Sequence, residues 1–215
     1  MKKYKVAIVG ATGAVGREML RCIFQFNFPF ESIKLLASSR SAGKIVEFEN
    51  YKFTVEELTE DSFEGIDVAF WSAGGSISAK YMPYAIKAGC INIDNTSHFR
   101  MDPDVPLVVP EVNAEALKTH KGIIANPNCT TIQMVSALNR LNEYFDIERI
   151  IVSTYQAVSG AAGEGILSGG GCRGTPGRRA GSGRKHGADQ GAVGAAECRP
   201  VRRRGQTAGS PDQSG

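Results

Sequence analysis

The chain has 215 residues, and its 25 lysines and arginines against 22 aspartates and glutamates leave a formal net charge of +3. That length holds one domain with a sizeable core or two small ones, and so weak a charge balance argues for neither nucleic acid nor membrane as a partner. No apolar run reaches the roughly 18 to 20 residues that span a bilayer. The start Met1-Lys2-Lys3-Tyr4-Lys5 lacks a signal-peptide core, and five scattered cysteines without metal-ligand spacing fit a reducing cytoplasm and no metal.

Lys5-Val6-Ala7-Ile8-Val9 is a short apolar run that predicts a first strand. It runs into Gly10-Ala11-Thr12-Gly13-Ala14-Val15-Gly16 and then a helical pattern from Arg17. Strand, glycine loop and helix in that order form a dinucleotide-binding arrangement. The glycines permit a tight turn and close backbone approach, and the helix N-terminus faces a pyrophosphate. A glycine repeat alone is often only a turn, and its position after an N-terminal strand is what favours a cofactor. The second strand, Ser32 to Ala37, ends without the acid that would hold the ribose of NAD. Ser38-Ser39-Arg40-Ser41 follows instead, hydroxyls and a cation suited to a 2′-phosphate, so the expected cofactor is NADP, the alternative being a solvated basic loop.

Asp67 to Trp71 predicts a further strand leading to the small-residue loop Ser72-Ala73-Gly74-Gly75-Ser76. A helix over Ser78 to Ala88 contains Pro83, and Cys90 to Asp94 is the next strand, delivering Asn95-Thr96-Ser97-His98-Phe99-Arg100. Alternating strands and helices with ligand-type residues at strand ends describe an α/β, doubly wound sheet. Arg100 fits either a bidentate phosphate contact or a surface ion pair with Asp102 or Asp104. His98 reads as a loop-packing residue, and Pro103, Pro106 and Pro110 predict an extended, stiff connection from Met101 to Glu111.

After the apolar run Gly122 to Ala125 comes Asn126-Pro127-Asn128-Cys129-Thr130-Thr131, then helical spacing with Ile132, Val135, Leu138, Leu141 and Phe145 on one face. Cys129 therefore falls at or near a helix N-terminus, where unpaired N–H groups and the dipole favour a thiolate. The competing reading is a free cysteine serving as a small apolar residue. Ile147 to Tyr155 predicts a strand whose end opens into Gln156 to Gly160.

These residues resemble aspartate-semialdehyde dehydrogenase. The resemblance rests on Gly10 to Gly16, Asn95 to Met101, Val109-Pro110-Glu111-Val112-Asn113, Asn128 to Thr131, and Ser153 to Gly160, in the family's order over about residues 1–160. It implies NADPH-dependent reduction of aspartyl 4-phosphate to aspartate 4-semialdehyde, a step towards lysine, threonine and methionine, through a thioester on Cys129. It also implies Arg100, Gln156 and Asn128 on the substrate and phosphate side. Gly10, Thr12, Gly13, Ala14, Val15, Gly16, Ser38, Arg40, Ser41, Ser159 and Gly160 are implied on the cofactor side. Acetylglutamyl-phosphate reductase is a neighbouring reading, opposed by Asn128-Cys129-Thr130-Thr131 and the Asn95 to Arg100 run.

From about Ala161 to Gly215 there is no Phe, Tyr, Trp or Met, and the composition turns to Gly, Ala, Ser and Arg. Such a segment is expected to be disordered, because it buries too little apolar surface to offset its conformational entropy. The composition is what a reading-frame shift in GC-rich DNA yields. The expected organisation is an NADP-binding Rossmann-like domain over 1–128, the start of a truncated catalytic and dimerisation domain over 129–160, and a non-family tail over 161–215. The resemblance assigns a catalytic histidine, a carboxylate-binding arginine and the homodimer interface to the domain the tail replaces. Impaired turnover and doubtful dimerisation are the corresponding expectations. A non-catalytic NADP-binding fragment or sensor is the alternative. A basic RNA-binding protein, a third reading, would need the tail to carry binding.

Overall fold

The computed structural model describes residues 2–154. Among these, seven strands (β1 Tyr4–Val9, β2 Phe30–Ala37, β3 Ile45–Phe48, β4 Tyr51–Glu57, β5 Val68–Trp71, β6 Ile91–Asp94 and β7 Ile123–Ala125) form one sheet in the order β3-β4-β2-β1-β5-β6-β7. Every neighbouring pair is parallel except the β3–β4 hairpin. The chain thus begins mid-sheet, winds outward through β2 and β4, and returns to the other side of β1 with β5, β6 and β7. This is the doubly wound arrangement, with its switch point between β1 and β5.

Four α-helices accompany the sheet: α1 Ala14–Gln25, α2 Gly75–Lys87, α3 Pro110–Asn113 and α4 Cys129–Asn142. The two-residue period of β1 sends its side chains to opposite faces. Val6 and Ile8 pack with Leu20 and Ile23 of α1, while Ala7 and Val9 pack with Met82 and Ala85 of α2. Because both faces are covered, β1 reads in sequence as an unbroken apolar run. Trp71 stacks on Phe63 with ring centroids 5.2 Å apart. The indole N–H donates to Asn92 Oδ1 at 3.0 Å, and the Asn92 amide in turn donates to the carbonyls of Cys90 and Gly122.

Several expectations are corrected. The β3–β4 hairpin occupies a region for which sequence reading predicts no strand; Phe48 pairs with Tyr51 across a two-residue turn, with Glu49 at φ 50°. Pro83 lies inside α2 on its exposed side, between buried Met82 and Ala85, and the helix continues through it to Lys87. The Met101 to Glu111 connection is not extended throughout. It turns over 97–105, and Pro110 starts α3 because its fixed φ suits a first helical position.

Residues 147–154 form no strand. Among the described residues they pair with no strand, and the Ile147 N–H donates instead to Asn142 Oδ1 at 3.3 Å. Phe145 lies beyond the end of α4 rather than on its apolar face. The expected tail and the segment Tyr155 to Gly160 lie outside the described residues.

Candidate functional site

The register of the sheet aligns the carboxyl ends of its strands. Val9 stands beside Leu36 and Trp71, Trp71 beside Asp94, and Asp94 beside Ala125. The loops after β1, β2, β5, β6 and β7 therefore leave from one edge, where doubly wound sheets bind ligands.

At the switch point two of these loops touch. The Ser72 N–H and its hydroxyl both donate to Val9 O, at 2.9 and 3.1 Å. Gly10 has φ +88°, and a Cβ there would sit 2.9 Å from backbone atoms of Ser72 and Ala73. A Cβ on Gly16 would lie 2.3 Å from Gly10 O, so α1 can approach the loop only with glycine at that position. Gly13 is the N-cap of α1; no side chain caps the helix and its first turn carries no acid. Thr12 is half-buried in the loop, while Ala14 and Val15 form the exposed first turn. This uncapped helix end beside a glycine loop is a fit for a dinucleotide pyrophosphate.

The end of β2 continues as a 3-10 turn, Ser39–Ser41, with Ser38 and Arg40 exposed and Ser41 half-buried. Among the described residues Arg40 makes no ion pair. No carboxylate lies in Ser38 to Ser41, so the donors present fit an added phosphate better than a bare ribose diol.

At the other side of the edge, β7 ends in Asn126-Pro127-Asn128, and Cys129 is the first residue of α4. Asn128 is the N-cap: its Oδ1 accepts the Thr130 N–H at 3.0 Å. The Cys129 thiol is exposed, whereas Cys90 is buried. This exposure does not fit the reading of Cys129 as a buried apolar filler.

Arg100 pairs with neither Asp102 nor Asp104. Asp104 is engaged by Lys121 at 2.8 Å, and Asp102 accepts the Asp104 N–H. The guanidinium instead donates from Nε to Asn126 O at 2.8 Å and from Nη2 to Asn95 O at 2.9 Å. Among the described residues its other three N–H groups have no acceptor. Burial pushes the Arg100 pKa down, while the negative charges of Asp94 and a Cys129 thiolate push it back up. Arg100 and Cys129 thus belong to one electrostatic neighbourhood. His98 is exposed, with its ring edge-on to that of Phe99 at 4.6 Å between centroids, and its main-chain N–H donates to the Thr96 hydroxyl at 3.4 Å.

Sequence reading misses the group that holds this edge together. Asp94 is fully buried; its carboxylate accepts the Thr96 N–H at 2.9 Å, the Thr96 hydroxyl at 2.8 Å and the Ser78 hydroxyl at 3.2 Å. It ties the loop after β6 to the first turns of α2. Its sequence signal, an acid ending an apolar strand, is also that of any solvated strand end. An apolar groove of about 590 Å³ runs along α1, lined by Val15, Met19, Phe26, Phe28 and Phe70, and reaches this edge at Asn95. Ala14 and Val15 of the first turn of α1 also line it, so the groove adjoins the uncapped helix end.

Parallel strands, a glycine loop at the switch point and an uncapped helix start define a dinucleotide-binding domain, here with a cysteine at its last loop. Residues 5–120 match the family described as semialdehyde dehydrogenase, NAD binding domain, and the chain belongs to that family. It is 58% identical over 169 residues to aspartate-semialdehyde dehydrogenase of Campylobacter jejuni, covering 77% of this chain and 49% of that one. The crystal structure of aspartate semialdehyde dehydrogenase II complexed with ASA, from Vibrio cholerae, superposes with TM-score 0.74 at 49% identity, covering 77% of this chain and 50% of that one. That of aspartate semialdehyde dehydrogenase with NADP, from Candida albicans, gives TM-score 0.57 at 30% identity, over 67% and 48% of the two chains. The chain spans about half the length of the curated relatives it matches.

Proposed function

We propose that this chain is the NADP-binding half of an aspartate-semialdehyde dehydrogenase and carries that enzyme's nucleophile, Cys129. The observation that carries this reading is the shared carboxyl edge, where the glycine loop, the Ser38 to Ser41 turn, Arg100 and Cys129 emerge from aligned strand ends. The match to enzymes of that name, one of them solved with NADP, supports it.

Gly10, Gly13 and Gly16 with the first turn of α1 would hold the pyrophosphate, and Ser38, Arg40 and Ser41 the 2′-phosphate. When bound, NADPH supplies a hydride to the acyl carbon. The residues of this chain act before that step. The Cys129 sulfur attacks the acyl-phosphate carbonyl, a C–S bond forms as the C–O bond to phosphate breaks, and inorganic phosphate leaves with the electron pair. The N–H groups of Arg100 not used on carbonyls are available to the departing charge. Asn128 acts at this site at least by capping α4. Gln156, Ser159 and Gly160, assigned by the family resemblance to substrate and nicotinamide, lie outside the described residues.

The domain boundary falls between the cofactor loops and Cys129, with 1–128 the NADP domain and 129–160 the beginning of a catalytic one. A reducing cytoplasm is the proposed location, and the free cysteines Cys22, Cys90 and Cys129 support it. The homodimer implied by the family resemblance rests on the domain assigned beyond residue 160, so it is not proposed for this chain.

Incubating the chain with an acyl phosphate and mapping its peptides tests this reading. Phosphate release with an acyl adduct on the Cys129 peptide, lost in Cys129→Ser, is the expected result. NADPH binding without any adduct would leave a cofactor-binding module and remove the catalytic assignment.

A further inference from the structure

We propose that Asn95 and Asn126 form an amide latch that sets Arg100 against Cys129, which makes both asparagines positioning residues for the acyl-phosphate site. The inference rests on the functional reading above. The Asn126 side chain donates from Nδ2 to Asn95 Oδ1 at 2.9 Å, although the two residues are 31 positions apart. The Arg100 guanidinium bridges the main-chain carbonyls of the same two residues, at 2.8 and 2.9 Å. Residues 95 and 126 are therefore joined twice, once by their own amides and once by the cation.

Each of the two residues is tied to the sheet through its own N–H. The Asn95 N–H donates to Trp71 O at 3.1 Å, and the Asn126 N–H donates to Asp94 O at 2.8 Å. The two residues whose carbonyls receive Arg100 are thereby anchored at the ends of neighbouring strands. From this doubly joined point the chain runs through Pro127 and Asn128 to Cys129, three residues on. An arginine on a flexible stem would sample many rotamers. Two charge-assisted bonds to oriented carbonyls hold it in one and leave three N–H groups for an anion. Loss of the side-chain pair frees the two strand ends to shift, and with them the spacing between cation and thiolate.

The rates of alkylation of Cys129 by anionic iodoacetate and by neutral iodoacetamide, read from its peptide by mass spectrometry on the full chain, test this. Their ratio reports local positive charge, and the same peptide in denaturant gives the reference. The folded wild type should exceed the reference by about fivefold, the size of one charge contact near a surface, and Arg100→Ala should abolish the excess. Asn126→Ala and Asn95→Ala should each lose most of it, and the double variant should fall no further. Protection of buried Cys90 in the same digest confirms folding, and Asn126→Ser serves where the alanine variant unfolds. Retention of the wild-type ratio in folded asparagine variants, with Arg100→Ala lowering it, would overturn the latch alone. No effect of Arg100→Ala would instead overturn the site reading, and the latch with it.

Discussion

Two thiols of this chain have opposite surroundings. Cys129 is exposed at the start of α4, while Cys90 is buried before β6. Burial pushes the Cys90 thiol up to about 12 from an ordinary value of 9.0, and the Asp67 carboxylate adds to the rise. In the folded chain near pH 8, iodoacetamide should therefore label Cys129 well before Cys90, as peptide mapping would show. The raised value has a consequence for stability. Below about pH 9 the thiol is protonated whether folded or unfolded and favours neither state. Between pH 9 and 12 only the unfolded chain ionises there, so stability falls as pH rises through that window. Denaturant midpoints should drop more steeply from pH 8 to pH 10 in the wild type than in Cys90→Ala; parallel slopes would contradict this. At this scale Cys129 was legible in sequence because its neighbours Pro127 and Asn128 announce a helix start. Asp94 was not, because burial and its three donors depend on residues brought together by the sheet.

The glycine loop and α1 show how a local motif becomes a geometric requirement. Gly16→Ala puts a methyl group 2.3 Å from Gly10 O and 2.7 Å from Ala11 Cα, both on backbone that cannot swing aside. The expected cost is about 1–3 kcal/mol of stability, as for overpacking, with loss of NADPH affinity from the displaced helix. Thermal unfolding with and without NADPH would measure both, and unchanged affinity would count against the loop as the pyrophosphate site. On the other face, Phe63→Ala removes a fully buried ring stacked on Trp71 and should cost about 3–5 kcal/mol in denaturant unfolding. Strands β1, β5 and β6 were legible as compact apolar runs. The β3–β4 hairpin was missed although Val46, Phe48, Phe53 and Val55 alternate with exposed residues. It is an edge hairpin, and its two-residue turn, Glu49-Asn50, lacks the glycine that marks such turns in sequence.

Across the whole molecule, the apolar surface is unevenly covered. No residue of α4 is buried, and Leu141 in it and Tyr144, Phe145 and Ile151 after it are exposed apolar side chains. Where such side chains adjoin, the apolar surface draws dyes and partners. The chain should enhance the fluorescence of an apolar dye under native conditions, and Leu141→Glu with Phe145→Glu should diminish it without lowering the unfolding midpoint. The doubly wound class was legible because strands alternate with helical patterns and glycine loops along the chain, but the strand order was not. The strand expected after α4 was not realised, since a strand exists only with a neighbour to pair with, and residues 147–154 have none.

The claim on which the rest depends is that the edge formed by the Gly10 to Gly16 loop and the Ser38 to Ser41 turn binds NADP. Parallel fluorescence titrations with NADPH and NADH test it most directly. NADPH should bind at least about tenfold more tightly, as about 1.4 kcal/mol from a guanidinium–phosphate contact requires, and Arg40→Ala should remove most of that preference. Equal or tighter binding of NADH, or saturable binding of neither, would contradict it.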